Sequence, residues 1–121
     1  MYVTTMIKTH EEIRQTITFL GIEDCSLLWE ATVEKGLYEL PPEDRVRLAR
    51  RAIEELLREG IVKLYRCHEP DGQLEEISKE KWEQVLSNQN SWLEPKRDTV
   101  SIRFGTTSEG KAAYFAAERS K

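Results

Sequence analysis

Apolar residues in the first half of the chain recur three and four positions apart, the period of helices with one buried face. Thr9-His10-Glu11-Glu12 has the T-x-x-E form of a capping box, in which hydroxyl and carboxylate satisfy two orphan amides reciprocally. Ile13, Ile17 and Leu20 follow on one side and Gly21 offers a stop, predicting a first helix over residues 9 to 20. Asp24 offers the next N-cap. Leu27, Leu28, Ala31 and Thr32 then form a stripe with Trp29 and Val33 beside it. A helix apolar over that much of its girth belongs at the centre of a fold, and Gly36 is its expected end. Pro41-Pro42 forces an extended approach and suits the first turn of a third helix, where a missing amide costs nothing. Val46, Ala49, Ile53, Leu56 and Leu57 make the buried stripe of that helix, which Gly60 ends.

The pattern then changes. Ile61 to Arg66 is rich in β-branched and aromatic residues and predicts a strand, and Asp71-Gly72 marks a turn. Ser78, flanked by Ile77 and Trp82 at the spacing of a hydrophobic staple, caps a short helix, and residues 87 to 91 form a polar loop. Val100, Ile102 and Phe104 alternate with Thr99, Ser101 and Arg103, as in a half-buried strand. Thr106 and Glu109 form a second capping box before a last helix with Ala112, Ala113, Phe115 and Ala116. The expected order is α-α-α-β-α-β-α, without an internal repeat.

Two stretches carry a family likeness. LARRAIEELLREGIVKLYR (48 to 66) resembles the recognition-helix and first wing-strand passage of bacterial winged-helix regulators, and SIRFGTTSEGKAAYFA (101 to 116) resembles their second wing strand and terminal helix. The chain over residues 9 to 118 therefore looks like a winged helix-turn-helix domain. The resemblance implies one α+β domain over residues 1–121, mostly helical, with a small antiparallel sheet and a helical insertion in the wing. It also implies duplex DNA as a partner, and a homodimer through the C-terminal helix.

Charge complicates that implication. With 18 Lys and Arg against 22 Asp and Glu, the net charge of −4 argues against a general polyanion binder while leaving room for a local basic surface. No apolar run nears the roughly 20 residues that span a bilayer, and no signal peptide is evident, so a cytoplasmic protein without membrane contact is expected. Cys25 and Cys67 lack CxxC partners and are expected to be free thiols.

The third helix concentrates the candidate chemistry. Arg45, Arg47, Arg50 and Arg51 fill its first half, the part of a recognition helix that enters the major groove. Arginine there would engage phosphates or pair bidentately with guanine. Yet Glu43–Arg47, Arg50–Glu54, Arg51–Glu55 and Glu54–Arg58 are all i,i+4 pairs, which stabilise an exposed helix without any ligand. Lys63 and Arg66, with His68, Lys96 and Arg97, would support DNA from the wing, against Glu69, Asp71, Glu75 and Glu76.

Trp82 and Trp92 bracket the 70–97 insert, as anchors for a protein partner or as seals onto the core. Cys67-His68 is too small a set for a metal shell, and no HExxH, GxSxG, P-loop or CxxC motif occurs. No catalytic residue, metal or cofactor is expected. Two readings stand: a non-enzymatic winged-helix DNA-binding regulator, and a winged-helix scaffold for protein–protein contact of the accessory or immunity type.

Overall fold

The computed structural model describes residues 9–23, 25–34, 37, 39–68, 72–96 and 100–120. Its elements are α1 (His10–Glu23), β1 (Ser26–Leu27), α2 (Leu28–Thr32), α3 (Pro42–Arg58), β2 (Val62–His68), β3 (Gln73–Glu76), α4 (Trp82–Ser87), β4 (Val100–Thr106) and α5 (Ser108–Arg119). Short 3₁₀ turns, Lys79–Lys81 and Gln89–Trp92, flank α4. The class is α+β, with four antiparallel strands in the order β1-β4-β2-β3.

The first capping box forms as its residues require. Thr9 Oγ1 accepts from the Glu12 amide at 3.1 Å, and the Glu12 carboxylate accepts from the Thr9 amide at 2.8 Å. The helix then runs through Gly21 instead of stopping there. Gly21 lies against β4, where a Cβ would meet Thr106 Oγ1 at 2.6 Å and the Thr106 nitrogen at 2.9 Å. The glycine serves a close approach of backbones, not a helix end.

The predicted second helix divides. Ser26 and Leu27 pair with Phe104 and Arg103 as an edge strand, and only Leu28–Thr32 is helical. Glu30 caps the junction by accepting from the Leu27 amide at 2.9 Å. The expected cap at Asp24 and stop at Gly36 lie outside the described residues.

The third helix follows its pattern closely. Pro42 occupies the first position, and Ala49, Ala52, Ile53, Leu56 and Leu57 are buried. Gly60 follows at φ 74°, a left-handed conformation in which a side chain is strained. The Ile61 amide closes the end onto Leu56 O at 2.9 Å. β2 then pairs along its length with β4, Leu64 opposite Phe104, both fully buried.

Ser78 precedes a 3₁₀ turn instead of a helix and makes no side-chain cap bond there, and Trp82 opens α4. The expected loop at 87–91 is largely the second 3₁₀ turn. The alternation expected of β4 is only partly kept: Phe104 is fully buried, but Val100 is half exposed and Ser101 is buried. Val100 lies at the first position of the strand. The cap of α5 sits one residue later than the second box: Thr107 Oγ1 accepts from the Gly110 amide at 3.0 Å, while Thr106 stays in β4. Thr107 also donates to Gly60 O at 2.8 Å, tying α5 to the end of α3.

One apolar cluster joins Ile13 and Ile17 of α1, Leu28 of α2, the buried line of α3, Phe104 of β4, and Val85, Leu86 and Trp92 of the insert. Among the described residues no helix is long and apolar enough to cross a membrane, and Cys25 and Cys67 form no disulfide.

Candidate nucleic-acid interface

Helix α3 positions its charges by period. At 3.6 residues per turn, Arg47, Arg51, Glu54 and Arg58 share one line, opposite the buried Ala49, Ala52 and Leu56. The four arginines of the first half therefore do not share one face. Arg45 falls on the same line as Ala49, Ala52 and Leu56 and is only partly exposed. It lines a groove with Trp29, Val46, Trp92 and Leu93.

Arg50 is committed elsewhere. It meets Glu54 at 3.3 Å, Glu83 of α4 at 2.7 Å and Ser87 Oγ at 3.2 Å. Burial works against its charge, but the bonds to Glu83 and Glu54 outweigh that and raise its pKa. Glu83 is held below the ordinary carboxylate range, chiefly by the Ser87 hydroxyl and then by Arg50.

Arg47 and Arg51 remain on the outer line. Arg47 meets Asp44 at 3.3 Å, one turn back, and its side chain is 67% exposed. That replaces the expected Glu43–Arg47 pair. Arg51 is exposed and has no ion pair among the described residues, because Glu55 turns away from it.

Glu55 and Glu59 belong to a clamp with α1. Arg14 makes a two-pronged pair with Glu59, with both N–O distances 2.8 Å, and reaches Glu55 at 3.0 Å. His10 Nε2 lies 2.8 Å from the same Glu55 oxygen. These contacts hold both carboxyls below their ordinary range: Glu55 through the His10 bond first and Arg14 next, Glu59 through Arg14. The bonds to Glu59 also raise the pKa of Arg14 above the ordinary guanidinium value. The consequence lies on the far side of α3. One carboxylate expected to neutralise an arginine of that line, Glu55, points at α1. Sequence spacing pairs Arg58 with Glu54, which instead meets Arg50 at 3.3 Å. Arg51 and Arg58 are therefore exposed cations with no ion pair among the described residues.

The wing candidates are not gathered. Lys63 and Arg66 stand three positions apart on β2 and so point to opposite faces of the sheet. Lys63 is 3.5 Å from Glu76 of β3, and Arg66 lies in register with Glu75. Cys67 and His68 also diverge, the first buried and the second exposed. Arg97, Glu69 and Asp71 lie outside the described residues.

Both tryptophans of the insert face inward. Trp92 is 4% exposed and its indole donates to Leu86 O at 2.9 Å; Trp82, half-buried, donates to Ile77 O at 3.2 Å. The exposed apolar side chains of that region are Leu93, at 59%, and Leu74 of β3. At the other end, α5 buries Gly110 and half-buries Tyr114, whose ring packs at a tilt against Phe19 of α1 with centroids 6.0 Å apart. Its remaining face, Glu109, Ala112, Phe115, Ala116 and Arg119, is exposed. Ala112, Ala113, Phe115 and Ala116 of the expected last helix are all exposed, because α5 touches the rest of the fold along one side only.

Comparison with known proteins gives no match among family models, curated proteins or solved structures.

Proposed function

We propose that the protein is a non-enzymatic winged-helix module that binds duplex DNA through the outer line of α3, with Arg47, Arg51 and Arg58 as the contacting residues. The observation that carries this reading is the turn of Glu55 onto Arg14 and His10 and of Glu54 onto Arg50, which leaves Arg51 and Arg58 on that line without an ion pair among the described residues. The element order supports it: α3 passes through a positive-φ glycine into β2, and β2 pairs with β4, which in turn pairs with β1. In winged-helix domains the helix in α3's place enters the major groove. Arg45, on the inward line of α3, and Arg50, engaged with Glu83 and Glu54, leave the reading set, and Lys63 and Arg66 have at most a flanking role beside the glutamates of β3.

The same reading assigns α5 to pairing with a second copy. In an antiparallel pairing about a two-fold axis near Tyr114, Glu109 of one copy meets Arg119 of the other, and Ala112 meets Ala116 where small side chains permit close approach.

A second reading, a scaffold for a protein partner, draws on the Arg50–Glu83 clasp and on exposed Leu93 and Leu74, which make the insert a firm surface with apolar projections. Fluorescence anisotropy with random-sequence duplex DNA at low salt separates the two. Binding that weakens steeply with added salt supports the first; no binding at low salt leaves the scaffold reading.

A further inference from the structure

We infer that the groove between α2, the start of α3 and the second 3₁₀ turn is a binding site for a small planar aromatic carboxylate, with Arg45 as its anchor. The groove holds about 490 Å³, within the roughly 300–1,000 Å³ of small-molecule sites. Its walls are Trp29, Val33, Val46, Trp92 and Leu93. Two indoles and branched aliphatic side chains suit a flat apolar body. Leu93 projects at the mouth with more than half its surface in water, which is where a bound ring would gain most apolar contact.

The charge in this setting is anomalous. Arg45 sits on the inward line of α3, with Ala49 one turn ahead of it, where an apolar side chain would be expected. Its Nε is shielded from solvent and has no hydrogen-bond partner among the described residues. A buried donor left unmade is destabilising, more so on a charged group. The nearby carboxylates do not relieve it: Asp44 is taken by Arg47, and Glu43, on the exposed rim, makes no ion pair among the described residues. A carboxylate entering the groove would accept from the terminal N–H groups of Arg45, which is only partly buried, while its ring lies against Trp29 and Leu93. A neutral analogue of the same shape would gain only the ring contacts. The site does not depend on DNA binding, since Arg45 is not among the proposed DNA contacts.

The test uses 2-naphthoate and its neutral counterpart 2-naphthalenemethanol, titrated into the full chain and followed by ¹H–¹⁵N NMR. The acid is expected to shift the Trp29 indole N–H and the amides of Val46 and Leu93. It should bind on the order of tenfold to a hundredfold more tightly than the alcohol, the range for a charge-assisted hydrogen bond. Arg45→Met keeps the aliphatic stem and removes the donors, and it should bring the acid down to the affinity of the alcohol. The same spectrum reports whether the variant is folded; should it not be, Arg45→Lys replaces it and must weaken the preference. Absence of shifts at the groove, equal affinity for acid and alcohol in the parent, or an undiminished preference in the folded variant each overturns the inference.

Discussion

Arg50 of α3 and Glu83 of α4 stand 2.7 Å apart and fasten the insert to the helix expected to read DNA. The arginine that the winged-helix resemblance assigns to DNA is thereby a strut. Its second carboxylate, Glu54, and the hydroxyl of Ser87 complete the junction.

Breaking that junction should loosen α4 while leaving α3 intact. In Glu83→Gln the amide protons of Trp82–Ser87 should exchange faster than in the parent, and those of Ala49–Leu57 at an unchanged rate. Uniform acceleration across both helices would show that the pair does not act locally.

The Arg14 clamp should give stability a distinct acid dependence. Glu55 and Glu59 titrate below their ordinary range when folded. Their contribution is therefore present above the unfolded carboxylate value, about 4.3, and is lost as pH falls through the depressed folded values. Arg14→Met should lower the melting temperature at pH 7, and the gap to the parent should close in strong acid. A gap that persists unchanged at about pH 2, below the unfolded value, would contradict the assignment.

Gly21 tests the packing of α1 on β4. Alanine is the better helix former by about 1 kcal/mol, so Gly21→Ala would stabilise a free helix. Here the added methyl meets the Thr106 backbone nitrogen at 2.9 Å, and Thr106 Oγ1, which it also meets, is engaged with Thr18 O at 2.7 Å. Overpacking of this kind costs about 1–3 kcal/mol. The urea midpoint should fall; a rise would show that the two backbones separate freely.

The pairing proposed for α5 is testable by charge reversal. Sedimentation of the parent should show a concentration-dependent dimer, weakened by Arg119→Glu. Adding Glu109→Arg should restore it, since both pairs then reform with reversed sign. Failure of the double variant to recover would remove the antiparallel arrangement.

Much of the fold was legible where the signal is local. The Thr9–Glu12 box, the apolar line of α3 and the stop at Gly60 all form as their spacing predicts. β1 and β3 were not legible. Two-residue β1 exists because Ser26 and Leu27 pair with Phe104 and Arg103, far along the chain. β3 is exposed at every position, so no alternation marks it. The charges were legible only in part: Arg50–Glu54 forms at 3.3 Å as its spacing predicts, but the other expected i,i+4 pairs do not. Arg51–Glu55 is a sound local pair, but Arg14 and His10 offer Glu55 a half-buried setting in which hydrogen bonds to charge count for more. The inward position of Arg45 was available from the 3.6-residue period alone: it lies four and seven positions before Ala49 and Ala52.

The sorting of the arginines is tested most directly by the salt dependence of DNA affinity in single variants. Each lost phosphate contact reduces the slope of log K against log salt by about one. Arg47→Gln, Arg51→Gln and Arg58→Gln should each lower that slope by about one, while Arg50→Met leaves it at the parent value. A slope unmoved by the first three, or lowered as much by Arg50→Met, would contradict the proposed interface.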